Sequence, residues 1–193
     1  MKTVLASVII LVLAAGGWIY SNQRQTPGIS KKPSVASIKK PAKTTSTNQD
    51  VKAVAVPSVC ASNTDVQKIV VDISDQHAWM CEGAKEVYDA SVTTGAYTFP
   101  DNATPTGTWK ILAKYTNLYL KGSDSRGSWN DHVSHWMPFY ADYGFHDATW
   151  QTLPFGSKDY PTKGSHGCVR LSLETATWLH NWANVGATVT IQS

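Results

Sequence analysis

The chain carries no charged residue from position 3 to position 23, only three cysteines, no internal repeat and no His-Glu-x-x-His motif in its 193 residues. Each shortage closes a route. An uncharged run of about twenty apolar residues suits a bilayer, and nothing amphipathic marks it as the face of a soluble core. The apolar part of a cleaved signal is usually about 7–15 residues, so an uncleaved transmembrane anchor over residues 1–22 is preferred to a cleaved signal. Without a helical His-Glu-x-x-His pair, zinc chemistry of that type is disfavoured, although His132 and His135 stand three apart and His146, His166 and Cys168 follow. No metal or cofactor is expected.

Positive charge is unevenly spread. Residues 1–22 carry +1, residues 23–58 carry +6 and the remainder carries −4, which together give the net +3. The basic stretch is rich in Pro, Ser, Thr and Lys and holds no aromatic residue, which argues against nucleic-acid binding. It reads as a flexible linker, residues 23–58, with a weak attraction to anionic lipid. The lysines after the apolar run outweigh Lys2, which alone would keep the rest of the chain inside. Long domains cross regardless of such counts, and the cysteines favour the outside.

What remains, residues 59–193, is enough for one domain, and hydrophobic residues make up 42% of the chain. Residues 68–74 alternate apolar and polar and form a hairpin with 77–81. Strands are expected at 87–93, 107–113 and 187–191. Residues 114–164 are rich in Gly, Ser, Asp and aromatics, show weak periodicity and read as loops around a site. One helix is expected, with Ser172 as N-cap, Glu174 in its first turn and Gly186 just past its end. Ala176, Leu179 and Ala183 share one face of it, and Trp178 and Trp182 adjoin that face as core packing. Many short strands and one helix near the C-terminus make a mainly β domain.

In an exported domain two of three cysteines can pair and the third is a free thiol. Cys60 precedes the first hairpin and Cys81 ends its second strand, so the two are either a disulfide or small buried hydrophobes. Cys168 has different company, in Lys163-Gly164-Ser165-His166-Gly167-Cys168-Val169-Arg170. Glycine lets a substrate come close, and a nearby imidazole or cation lowers a thiol towards the nucleophilic thiolate. Backbone N–H groups of such a turn can face a developing oxyanion.

The block Ser165-His166-Gly167-Cys168-Val169-Arg170, preceded by His146, resembles the signature of the L,D-transpeptidases, or YkuD domain. Ser91-Val92-Thr93-Thr94-Gly95 is similar to that family's strand ending in Thr-Gly, and Thr104-Pro105-Thr106-Gly107 to its Thr-Pro-x-Gly turn. The likeness spans about residues 68–191. Asp147 stands where many members carry Gly or Ser, and the spacer after His146 is long. The resemblance implies a YkuD-like β-sandwich or barrel and a cysteine acyltransferase acting on peptidoglycan stem peptides. Cys168 would form a thioester with the third residue of a tetrapeptide, release D-Ala and pass the acyl group to an amine as a 3→3 cross-link. Water as acceptor would make an L,D-carboxypeptidase.

By the same resemblance His146 is the general base or ion-pair partner, and Ser165 and His166 shape the catalytic turn. Arg170 orients either the loop or a substrate carboxylate, and Asp147 either accepts from an imidazole or caps a turn. Gly167, Thr104 and Gly107 are further substrate-side candidates. Trp129, Trp136, Trp150 and Tyr143 line the groove or pack in the core or a lid. The linker would then also meet anionic wall polymer, outside the cytoplasmic membrane. A papain-like enzyme is disfavoured, since there the Cys precedes its His and opens a helix. A non-catalytic wall-binding module would leave the Ser-His-Gly-Cys block without a purpose.

Overall fold

A computed structural model of the protein describes residues 58–193. The expected anchor and all but the last residue of the linker lie outside the described residues. Among the described residues no helix is long and apolar enough to cross a membrane.

β1 (Lys68–Asp72) buries three consecutive apolar residues, Ile69, Val70 and Val71, so both of its faces are covered. It forms the expected hairpin with β2 (His77–Glu82), which pairs onward with β3 (Lys85–Ser91). On its other edge β1 runs parallel to the last strand, β9 (Thr188–Gln192), and β9 meets β4 (Gly107–Lys110). The first sheet is therefore ordered β3-β2-β1-β9-β4. The start and end of the domain lie side by side within it.

The second sheet contains β5 (Tyr115–Asp124), β6 (Gly127–Tyr140), β7 (Tyr143–Asp147) and β8 (Val169–Leu171), in that order. Three of these four strands fall where loops were expected. For β5 the cause is burial: only alternate residues are even partly covered, and none is fully buried, so the apolar alternation of a half-buried strand is missing. Ile69, Val71, Met80, Val189 and Ile191 from the first sheet join Met137, Phe139, Phe145, Val169 and Leu171 from the second in one core.

Among the described residues there are two helices, the four-residue α1 (Tyr160–Lys163) and α2 (Leu173–Trp182). Ser172 caps α2 as expected, its hydroxyl accepting from the Thr175 N–H at 3.1 Å. The helix stops at Trp182, short of Gly186, because Gln67 takes over its end. The Gln67 amide donates to the Trp182 carbonyl at 2.8 Å and accepts from the Asn184 N–H at 2.9 Å. Trp178 stacks on Tyr88 of β3 at 4.2 Å and adjoins the core, the packing role expected of it.

Cys60 and Cys81 form a disulfide with both residues fully buried, and Cys168 is free. After β3 the chain leaves the first sheet and flanks the second. Thr93 exchanges two backbone hydrogen bonds with Arg170, and Ser165 bonds to Thr94 and Ala96. Buried Gln76 holds this crossing segment, donating to the Thr94 hydroxyl and accepting from its N–H.

Candidate active site

Strand alternation decides which side chains meet. β7 and β8 are parallel neighbours, with Phe145 opposite Val169 and His146 opposite Arg170. Phe145, Val169 and Leu171 are fully buried in the core, so His146 and Arg170 project from the other face. Cys168, one residue before β8, shares that face by the same alternation. With Ser165 and His166 these side chains line a cavity of about 500 Å³ whose walls include Trp129, Trp136, Tyr143 and Trp150. All four candidate groove aromatics therefore face the cavity.

His146 is 4% exposed, and its Nδ1 lies 2.9 Å from the carbonyl oxygen of Asp147. A carbonyl can only accept, so Nδ1 carries the proton and Nε2 keeps its lone pair. Burial lowers the ring to about 4; the Asp147 carbonyl pulls it up and the Arg170 charge pushes it further down. The imidazole is neutral at ordinary pH.

The Cys168 thiol donates to the Asp142 carbonyl at 3.7 Å. Burial pushes it up to about 11, opposed by the Gly144 N–H aimed at the sulfur and by the Arg170 charge. Burial thus favours the neutral thiol, against the pull of the Gly144 N–H and the Arg170 charge towards the thiolate. Desolvation outweighs the single nearby cation.

The turn carrying the thiol is braced from several sides. The Ser165 hydroxyl donates to the Cys168 carbonyl and accepts from the Gly167 N–H at 2.9 Å. Gly167 has φ +117, and a Cβ there would collide with the Tyr143 ring. His166 stacks on Trp129 at 3.8 Å, and burial and the Arg126 charge lower its pKa while Asp124 opposes them. Arg170 reaches the cavity with a buried Nε that has no protein partner.

Three expected site residues stand elsewhere. Asp147 is 1% exposed on the core face of β7, where one carboxylate oxygen accepts from the Ser134 and His135 N–H groups, both at 2.8 Å. Its side chain orders β6, and only its main-chain carbonyl touches an imidazole. Thr104 is buried and accepts from the Gly95 N–H at 2.9 Å while donating to the Gly167 carbonyl at 2.7 Å. It is a strut beneath the turn. Gly107 opens β4 under the Trp109 ring and does not line the cavity.

Sequence reasoning missed the groups that hold this turn from outside. Asp142 and Gly144 come just before His146 and present a carbonyl and an N–H to the sulfur. Asp124 and Arg126 flank the β5–β6 turn; Ser-Asp-Ser-Arg-Gly reads as a turn, but its spacing from Cys168 carries no local signal. His132 and His135 diverge, His132 bonding Asn117 and His135 bonding Thr177. Among the described residues no group of three or more His, Cys, Asp or Glu is arranged to hold a metal.

Fold and cavity together define a two-sheet, mainly β domain in which a thiol and a neutral imidazole share one aromatic-walled pocket. The model of the L,D-transpeptidase catalytic domain, YkuD, matches residues 66–191, and the chain belongs to that family. It is 27% identical over 120 residues to YciB of Bacillus subtilis (strain 168), a candidate L,D-transpeptidase, covering 58% of each chain. It is similar to the Ldtfm–avibactam carbamoyl enzyme, with a TM-score of 0.61 and 28% identity over 67% of this chain and 49% of that one. The catalytic domain of the Enterococcus faecium L,D-transpeptidase acylated by ertapenem gives 0.56 and 28%, over 65% of this chain and 95% of that domain. The chain thus spans about half the length of the first two relatives and nearly all of the isolated catalytic domain.

Proposed function

We propose that the protein is a peptidoglycan L,D-transpeptidase with Cys168 as nucleophile. The observation that carries this is that the Cys168 thiol and the His146 ring line one cavity, with His146 Nδ1 committed to the Asp147 carbonyl and Nε2 left with its lone pair. As sulfur attacks the carbonyl of the third stem residue, His146 Nε2 takes the thiol proton. The C–N bond to D-Ala then breaks, and the imidazolium returns that proton to the departing amine. A thiol near 11 and an imidazole near 4 leave little free thiolate, so proton transfer is coupled to C–S bond formation. The Gly144 N–H steadies charge that develops on sulfur. Arg170, with its unpartnered buried Nε, takes a carboxylate of the stem as partner.

The acceptor is an amine of a second stem, giving a 3→3 cross-link. A second cavity of about 820 Å³ adjoins the first through Asp131, Trp150, His166 and Arg170, which gives room for a second peptide and favours transfer over hydrolysis. The Cys60–Cys81 disulfide supports export to an oxidising compartment. There the apolar run at residues 3–23 tethers the domain to the outer face of the cytoplasmic membrane, and the basic linker spans towards the anionic wall.

Mass spectrometry tests this in two ways. The protein incubated with ertapenem gains one adduct on Cys168, and Cys168→Ala gains none. With a disaccharide-tetrapeptide it yields a cross-linked dimer lacking one D-Ala. Tripeptide alone would identify a carboxypeptidase, and an unaltered mixture with no adduct would dismiss the catalytic reading.

A further inference from the structure

The tip of the β5–β6 hairpin grips the segment that leads into Cys168. Arg126 donates from Nη1 to the Gly164 carbonyl and from Nη2 to the Ser165 carbonyl, both at 3.2 Å. Its guanidinium lies 4.9 Å over the Phe99 ring, and its Nε meets Asp124 at 3.2 Å. Asp124 in turn accepts from Asn102 at 2.7 Å and stands 3.7 Å from His166. One planar cation therefore joins three chain segments, and Lys could not reproduce its fork. Ser165 passes the constraint on, since its hydroxyl binds both the Gly167 N–H and the Cys168 carbonyl.

The geometry points to Arg126 as a positioning residue for Cys168, acting through the carbonyls of Gly164 and Ser165 to aim the sulfur at the scissile carbonyl. This rests on the transpeptidase reading above. A nucleophile on a turn is only as well aimed as the groups that support it, and an error of about 1 Å costs on the order of 10²-fold in rate. Alkylation by a small reagent is far less demanding, because iodoacetamide needs no fixed line of approach to the sulfur. The two reactions therefore separate aim from intrinsic reactivity.

The experiment uses the full chain as wild type, Arg126→Ala, Arg126→Lys and, as a hairpin-tip control, Ser125→Ala. Rates of Cys168 acylation by ertapenem and alkylation by iodoacetamide are read by mass spectrometry, beside hydrogen exchange over residues 164–168. Arg126→Ala should slow acylation by about 10- to 100-fold, leave alkylation unchanged and speed exchange in that segment. Arg126→Lys should recover part of the acylation rate, and Ser125→Ala should match wild type. Acylation at the wild-type rate in Arg126→Ala overturns the assignment, as does an equal fall with both reagents. A wild type inert to ertapenem overturns the transpeptidase reading instead. The positioning role is then judged on exchange over 164–168, and unaltered exchange there sinks it.

Discussion

Two opposed shifts set the chemistry of Cys168 and His146. Burial raises the thiol to about 11 and lowers the imidazole to about 4, so both are neutral between those values. Alkylation tracks the thiolate, and a raised pKa means that fraction grows as pH rises. The rate of Cys168 modification by iodoacetamide should climb about tenfold per unit up to near pH 11. A plateau by pH 7 would reveal a standing thiolate–imidazolium pair and refute the neutral assignment. Turnover depends on His146 with Nε2 unprotonated, so the acid limb of kcat/KM should fall near pH 4 and not near the 6.5 of an exposed histidine. At this scale the sequence was informative about residue type and poor about direction. Cys168, His166 and Arg170 could be named because their chemistry is unusual in one short block, and His146, well upstream of it, through the family resemblance. Asp147 could not be placed, since only its position on β7 decides that its carboxylate faces the core while its neighbour faces the cavity.

Elements were legible where at least one face is dry. β1 and β2 bury apolar side chains, and α2 carries a capping serine, so their patterns agree with their structures. The β5–β6 hairpin turns Leu120, Gly122, Trp129 and Asp131 towards the cavity, and cavity linings need no apolar alternation. Its strands were hidden for the reason that makes them useful. Thr104 shows the same gap for loops. The Thr-Pro-x-Gly turn was recognisable, but the threonine lies beneath the site as a strut, linking Gly95 to Gly167. Thr104→Val keeps the shape and removes both hydrogen bonds, leaving a buried N–H and a carbonyl unpaired. Denaturant unfolding should show a loss of about 1–3 kcal/mol. Ertapenem acylation should slow as well, because the Gly167 carbonyl is freed. Stability equal to wild type would mean that water replaces the hydroxyl and that Thr104 is no strut.

At the scale of the whole domain, the two sheets divide the work. The second carries the cavity, while the first closes the domain by setting β1 beside β9 and fastening its leading edge through Cys60–Cys81. That bond encloses a separation of 21 residues and lies entirely on the first sheet's side, where Cys81 pairs with Lys68 and Glu86. A cross-link of this length removes unfolded-state entropy worth about 3 kcal/mol in the chain-entropy model. Most of the bracing of Cys168 lies outside the loop it closes: Ser165, Thr104 and Arg126 belong to other segments, and only Gln76, in the β1–β2 turn, falls within it. The double variant Cys60→Ala, Cys81→Ala should therefore lose about 3 kcal/mol in denaturant unfolding. Below its transition it should acylate Cys168 at the wild-type rate. Unchanged stability would show that the cystine adds no constraint to the unfolded chain. A slowed acylation in protein that is still folded would show that the first sheet sets the aim of the thiol, contrary to the division of labour between the sheets.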